Sequence, residues 1–235
     1  MSRIVVTVIP ASDSTVVALL FDIDGTLINS GGAGAVSWRR AFEDLYGIPA
    51  DIGKFTDAGM TDPEVARLTF KAVIGHEPSP EELARVMAKR LEHLPRAVAE
   101  SKGYKVLPGV KELLPQLRDA GYLLGLTTGG VEEAARMKLE RGGLNEYFTF
   151  GGYGSDSPDR VELTRKAVER AEAIVGRDLE REEVLDLGDT PLDITAAHAA
   201  NTAAVGVATG HYSKEELAEA GADYVLGTLE EGLPL

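Results

Sequence analysis

Apolar and polar positions alternate on two length scales along this chain. The runs "TVVALLFDID" (15–24), "YLLGLTT" (122–128), "EVLDLGD" (183–189) and "AAVGVAT" (203–209) are rich in β-branched and apolar residues and too short for typical helices, which predicts buried strands. "DYVL" (223–226) is a shorter candidate of the same kind. Most are followed by segments of helical periodicity, such as "VEEAARMKLERGG", whose glycine pair suits a helix C-terminus. This alternation predicts an α/β fold, an open, doubly wound and mainly parallel sheet with helices on both faces.

About 80 residues between the first strand and "VLPGV" (106–110) break the rhythm, with helical periodicity and little strand signal. Val36, Phe42, Leu45 and Tyr46 fall on one helical face; so do Val65, Leu68, Ala72 and Val73, and then Leu83, Val86, Met87, Leu91 and Leu94. Thr61-Asp62-Pro63-Glu64 and Ser79-Pro80-Glu81-Glu82 read as capping boxes with proline at the first helical position. The segment is expected to form a helical module over 32–103, inserted into a core of 1–31 and 104–235. Its junctions, "NSGGAGA" (29–35) and "ESKGYKVLPG" (100–109), are suited to act as hinges. Pro115 is expected to kink or shorten a helix over 109–120.

With 235 residues and 44% hydrophobic content, the chain can bury a sizeable core. No stretch approaches the roughly 18 to 20 apolar residues of a membrane span, so no membrane partner is expected. The start, "MSRIVVTVIPASDS", is too briefly apolar for a signal peptide and reads as an extra strand or a loose arm. Cysteine is absent, which removes disulfides and thiolate metal sites and suits a reducing cytoplasm. A formal charge of −14 disfavours nucleic acid as a partner, since such binding relies on clustered Lys and Arg.

The candidate chemistry lies where strands end. In an open parallel sheet, ligands bind beyond the carboxyl ends of the strands. The first strand ends at Asp22, with Asp24-Gly25-Thr26 following, and others end at Thr127-Thr128-Gly129, Gly188-Asp189 and Thr209-Gly210. Asp193 lies one helical turn beyond Asp189. Asp22, Asp24, Asp189 and Asp193 would crowd one sheet edge, and a hard divalent ion with oxygen ligands would relieve their repulsion.

"DIDGT", a strand ending in "TTG", and "GDTPLD", in that order, resemble the haloacid dehalogenase superfamily of phosphohydrolases. "GMTDPEVAR" (59–67) and "GLTTGGVEEAARMKLERGGLNEYF" (125–148) resemble its phosphoglycolate-phosphatase-like branch. The resemblance spans nearly the whole chain. It implies a Rossmann-like core whose α-helical insertion is a mobile cap, and a phosphatase acting on a small-molecule phosphate ester of phosphoglycolate or sugar-phosphate type. It implies Asp22 as the nucleophile that becomes phosphorylated and Asp24 as general acid and base. Gly25 would permit the turn that brings Asp24 back over the site and Thr26 would fix that turn by hydrogen bonding. Mg²⁺ would be held by the Asp22 carboxylate, the Asp24 backbone carbonyl and Asp189, with Asp193 orienting a metal-bound water. Thr128 and the amides around Gly129 would bind the phosphoryl group, with Thr127 the alternative if the register differs by one.

The family's lysine before "GD" is absent. In "GSDSPDRVELTRKA" (154–167), Arg160 sits nearest its place and Lys166 is the alternative further along the helix. His76, His93, His198 and His211 show no paired metal-ligand spacing and read as surface or packing residues, and Trp38 reads as packing. Asp186 either faces solvent or partners a neighbour. A dehalogenase is disfavoured because those relatives lack the second Asp, and a phosphonate hydrolase because neither Lys54 nor Lys71 has a suitable context. A hexose phosphate mutase of the same fold and a catalytically silent binding protein remain open, as does the oligomeric state.

Overall fold

The computed structural model describes residues 15–235; the strand or arm expected over 1–14 lies outside the described residues. The chain runs through β1 (Ala18–Phe21), β2 (Ile28–Asn29), the helices α1 (Ala33–Tyr46), α2 (Asp62–Ile74) and α3 (Pro80–Glu100), and β3 (Lys105–Val106). Helices and strands then alternate: α4 (Val110–Asp119), β4 (Leu123–Thr128), α5 (Glu132–Glu140), β5 (Phe150–Tyr153), α6 (Arg160–Val175), β6 (Val184–Gly188), α7 (Pro191–Ala199), β7 (Ala203–Val207), α8 (Lys214–Glu219) and β8 (Tyr224–Leu226). The main sheet has the order β5-β4-β1-β6-β7-β8 and every adjacent pair is parallel.

Because successive side chains of a strand point to opposite faces, β1 serves two cores. Leu19 and Phe21 pack with Leu113 and Leu117 of α4, while Ala18 and Leu20 pack with Ala167 and Ala171 of α6. β1 lies between β4 and β6, where the strand order reverses, so its carboxyl end opens into a crevice flanked by both neighbours. Among the described residues, no helix is long and apolar enough to cross a membrane.

The expected strands are present, but β5 and the β2–β3 ribbon escaped the hydrophobic pattern. "FGGY" has two glycines in four residues, which conceals its pairing beside β4. β2 and β3 are two residues each and pair antiparallel only because the two ends of the helical insertion meet there. α4 continues through Pro115 over Val110–Asp119, so the proline does not end the helix. Proline cannot donate to the carbonyl one turn back, that of Lys111, but Lys111 is exposed and solvent can reach it.

In the insertion, Trp38 and Phe42 of α1, Val65, Ala66 and Phe70 of α2, and Val86 of α3 form a separate apolar cluster. The buried stripes are rotated from the expected ones: Val36 is 40% exposed and Ala72 is exposed, whereas Ala66 and Phe70 are buried. Trp38 packs as expected, under the Arg90 guanidinium at 4.8 Å. Ser79 forms the expected capping box with Glu82. Thr61 does not: its hydroxyl donates instead to the Pro158 carbonyl at 2.9 Å, and Pro63 is the second helical residue, because a tertiary contact outcompetes the local cap. A further cluster, Ala33, Leu94, Ala97 and Val98 with Val131 and Ala134, seats the insertion on α5.

Asp223 ties the sheet edge together, accepting from the Ala204 amide at 2.8 Å and from Arg181 at 2.6 Å. Burial pushes its carboxyl up, but the hydrogen bonds from Arg181, Ala204 and His198 outweigh this and hold it down at about 2. A depressed carboxylate contributes stability above its unfolded pKa and loses it as pH falls through the folded value. We expect the stabilisation to vanish between about pH 4 and pH 2, amounting to roughly 1–2 kcal/mol after discounting for solvent screening. Urea titrations of the protein and of Asp223→Asn should differ near neutrality and converge at pH 2; parallel stability profiles would refute this.

Candidate active site

The end of β1 is built by backbone bonds. The Asp22 amide donates to Leu187 O at 2.8 Å, which holds Asp22 at the mouth of the crevice. The chain then turns back, with Gly25 N donating to Ile28 O at 2.8 Å and Leu27 N to Ile23 O at 3.0 Å. Gly25 has φ +96°, and a Cβ there would collide with the Asp189 carboxylate, so only glycine suits both the turn and the approach. Thr26 does not fix this turn as expected. Its buried hydroxyl has no hydrogen-bond partner, and the side chain that reaches the turn is Thr209, whose hydroxyl donates to Gly25 O at 2.5 Å.

Asp22, Asp189 and Asp193 converge from β1, the end of β6 and the first turn of α7, and all three are buried. Asp193 accepts from the Thr190 amide at 2.9 Å and hydroxyl at 2.7 Å, closing a capping box at α7. Arg160, the first residue of α6, enters this cluster. Its Nη2 donates to Asp22 Oδ1 at 2.8 Å and to Asp193 Oδ1, and its Nη1 donates to Gly59 O at 3.0 Å. Even so, burial and the neighbouring carboxylates push Asp22 and Asp189 up from the ordinary range, against the opposing charge of Arg160. Lys166 lies elsewhere, paired at 2.6 Å with Glu169 and 47% exposed at its side chain.

The two threonines of β4 separate by strand register. Thr127 donates to Asp186 Oδ1 at 2.7 Å, so Asp186 is buried and partners a neighbour. Burial dominates over the Thr127 bond and raises the Asp186 pKa to about 7. Thr128 instead lines the crevice, its hydroxyl accepting from Gly130 N at 3.2 Å. Asp24 is held by Lys138 of α5 through a short ion pair. Burial alone would raise the Asp24 pKa, but the charge and hydrogen bond of Lys138, with a further bond from Ser30, lower it below its ordinary value.

Asp22, Asp24, Thr128, Lys138, Arg160 and Asp189 line one cavity of about 340 Å³, together with the Gly59–Met60 segment and Asp62 of the insertion. Gly129 allows this closeness: a Cβ there would lie 2.6 Å from Met60 O. Lys138, Asp62 and rim residue His211 were not among the expected site residues. Lys138 was legible in principle, since it shares the buried face of α5 with Ala134, Ala135 and Leu139, an unusual place for a lysine. Asp62 resembled an ordinary first-turn acid, and only the docking of the insertion reveals its contacts.

A family model for haloacid dehalogenase-like hydrolases matches residues 19–207. The chain belongs to that family. It is 30% identical over 228 residues to a phosphoglycolate phosphatase of Vibrio cholerae, covering 91% of this chain and 95% of the relative. It is 31% identical to the validoxylamine A 7'-phosphate phosphatase of Streptomyces hygroscopicus, covering 90% and 93% of the two chains. Among solved structures, a predicted phosphoglycolate phosphatase from Haemophilus somnus shares the fold with a TM-score of 0.72 at 21% identity, covering 93% of this chain and 97% of that one. The protein is a phosphatase-type hydrolase of the family.

The family generally uses a divalent metal ion, and the donor set fits one. Asp189 Oδ1 is buried without a hydrogen-bond partner, an acceptor prepared for something other than protein. Among the described residues, no three acidic or imidazole side chains form a ready-made cage. Two carboxylates with a backbone carbonyl match the usual habit of Mg²⁺, which keeps waters and takes substrate oxygens as ligands. Mg²⁺ should raise the melting temperature of the protein, and Asp189→Asn should remove most of that rise while remaining folded. Differential scanning calorimetry with and without Mg²⁺ checks this; an equal rise in both proteins would exclude Asp189 as a ligand.

Proposed function

We propose that this protein is a Mg²⁺-dependent phosphatase that hydrolyses a small phosphorylated metabolite, of phosphoglycolate or sugar-phosphate type, through an aspartyl-phosphate on Asp22. The observation that carries this reading is the convergence of Asp22, Asp24, Thr128, Arg160 and Asp189 on one cavity from four separate segments. The cavity's modest volume and polar lining suit a compact hydrophilic substrate, and the relatives' activities on phosphate esters point the same way.

In this reading a phosphate enters beside Asp22, and Thr128 with the amides around Gly129 takes its oxygens at the approach to α5. Arg160 turns its fork from Asp22 onto the phosphoryl group while Asp193 and Gly59 O retain it, placing positive charge where negative charge concentrates. Mg²⁺, held by the Asp22 and Asp189 carboxylates and the Asp24 carbonyl, would neutralise phosphoryl charge. An Asp22 carboxylate oxygen, kept ionised by the cation that would sit beside it, attacks phosphorus in line, and the bond to the leaving oxygen breaks as that oxygen takes a proton from the Asp24 carboxyl, which can hold one only once the incoming phosphate dianion has drawn Lys138 away from it. Asp24 then accepts a proton from water, which attacks phosphorus and frees Asp22. Before substrate enters, Lys138 anchors the Asp24 side chain from α5. The insertion over 32–103 serves as the cap and limits water at the core of 1–31 and 104–235.

Hydrolysis of p-nitrophenyl phosphate tests the reading. Activity should require Mg²⁺, and Asp22→Asn should abolish it with the fold retained; metal-independent turnover, or a near-normal rate in that variant, would refute the proposal. Arg160→Ala should cost on the order of a hundredfold in kcat/KM, about 2.7 kcal/mol, and Lys166→Ala should be nearly silent. The reverse ranking would transfer the cation role to Lys166. Asp24→Asn should slow esters with basic alkoxide leaving groups far more than p-nitrophenyl phosphate, and equal losses across a leaving-group series would remove Asp24 from the acid role.

A further inference from the structure

Asp62 belongs to the insertion, yet its strongest contacts lie in the loop that carries Thr128. Its amide donates to Gly129 O at 2.7 Å, and its Oδ2 accepts from Val131 N at 2.9 Å. One residue thus grips the loop at two points. Val131 is the N-cap of α5 and offers no side-chain cap, so the orphan amide at that helix start is satisfied from the insertion. The same Oδ2 accepts from Arg90 Nη1 at 2.6 Å, and Arg90 is 1% exposed and stacked on Trp38. The grip is therefore anchored in the insertion's own core. From the other side, Gly154 N donates to Gly130 O at 2.9 Å. The core supplies one half of the loop's support and Asp62 the other.

We propose that Asp62 is a positioning residue: when the insertion docks, it orders Gly129–Val131 and so sets the Thr128 hydroxyl and the neighbouring amides for an anion. A loop with two consecutive glycines has little intrinsic order, and losing two hydrogen bonds frees it. Opening of the insertion dismantles the anion-binding loop, and closing rebuilds it. Asp62 touches no reacting atom and acts through the loop.

The kinetic arm of the test rests on the phosphatase reading, whereas the exchange arm does not. Hydrogen exchange by mass spectrometry should be followed on peptides spanning 126–136 and, as a control, 110–119, in the protein and in Asp62→Ala, Asp62→Asn and Asp62→Ala/Arg90→Met. The double variant removes both members of the buried pair and leaves no unpaired charge, so it decides the matter if Asp62→Ala fails to fold. Exchange at 126–136 should accelerate about tenfold in Asp62→Ala and in the double variant, with 110–119 unchanged. Asp62→Asn should fall between, since its amide oxygen still accepts from Val131 N. Inorganic phosphate, titrated by calorimetry in Mg²⁺, should bind about tenfold more weakly to the double variant, and kcat for p-nitrophenyl phosphate should fall by a similar factor. A folded double variant with unchanged loop exchange and phosphate affinity would overturn the proposal, as would Asp62→Asn behaving like Asp62→Ala. If the loop loosens as expected but the unmodified protein neither binds phosphate nor turns over ester, the phosphatase reading fails and the ordering role of Asp62 stands.

Discussion

Burying several carboxylates at one end of a parallel sheet is the constraint around which this protein is organised. Asp22, Asp186, Asp189 and Asp193 are each at most 7% exposed. Burial and mutual repulsion disfavour ionisation of such a group, so each needs a donor or a cation. Asp186 takes the Thr127 hydroxyl, and Asp193 takes Thr190 and Arg160. Asp22 shares Arg160, while one oxygen of Asp189 remains without a partner. Neutralisation by the protein's own groups is incomplete, which fits the family's general use of a divalent metal, and Arg160 is drawn deep into the cluster.

Two cations divide the work between the acids. Arg160 arrives from the start of α6 and reaches Asp22, Asp193 and the insertion's Gly59 carbonyl together, a reach that a planar fork with several donors permits and a single ammonium would match poorly. Lys138 arrives from α5 and pairs with Asp24. Asp22 and Asp24, two residues apart, therefore sit in different electrostatic settings, one raised by burial and like charge and the other lowered by its lysine. This order is the reverse of what a nucleophile at Asp22 and an acid at Asp24 require, so the proposed roles need a cation beside Asp22 and the release of Lys138 from Asp24 to invert it.

The insertion is bound to this charge economy through backbone as well as side chains. Gly59 O on Arg160, Thr61 on Pro158 O, and Asp62 on Gly129 and Val131 place a short segment of one module against two loops of the other. The two ends of the insertion also meet, with Ser101 Oγ donating to Gly31 O at 3.1 Å. The contact between the insertion and the core is thus specified by directional bonds near the crevice in addition to the apolar contact with α5.

Local periodicity and motif order determined much of the architecture: β1, β4, β6, β7 and β8, the helical insertion, and the arrival of Asp22, Thr128 and Asp189 at strand ends were all readable, since alternation and apolar runs report burial of a strand or helix face. Arg160 was readable as the nearest cation to a motif position, and tertiary structure separated it from Lys166 by placing one in the cluster and the other against Glu169 in solvent. Glycine-rich β5 and the two-residue β2 and β3 carry too few side chains to show a period. Thr61, Thr26 and Asp62 had plausible local roles that folding reassigned or left unfilled, because a hydrogen-bonding side chain goes where the best unsatisfied partner lies, and for a residue at an interface between modules that partner is distant in the chain. The pairing of Lys138 with Asp24 is of the same kind: periodicity placed the lysine on a buried face, but only the packing of α5 beside the β1 turn decided which carboxylate it would meet.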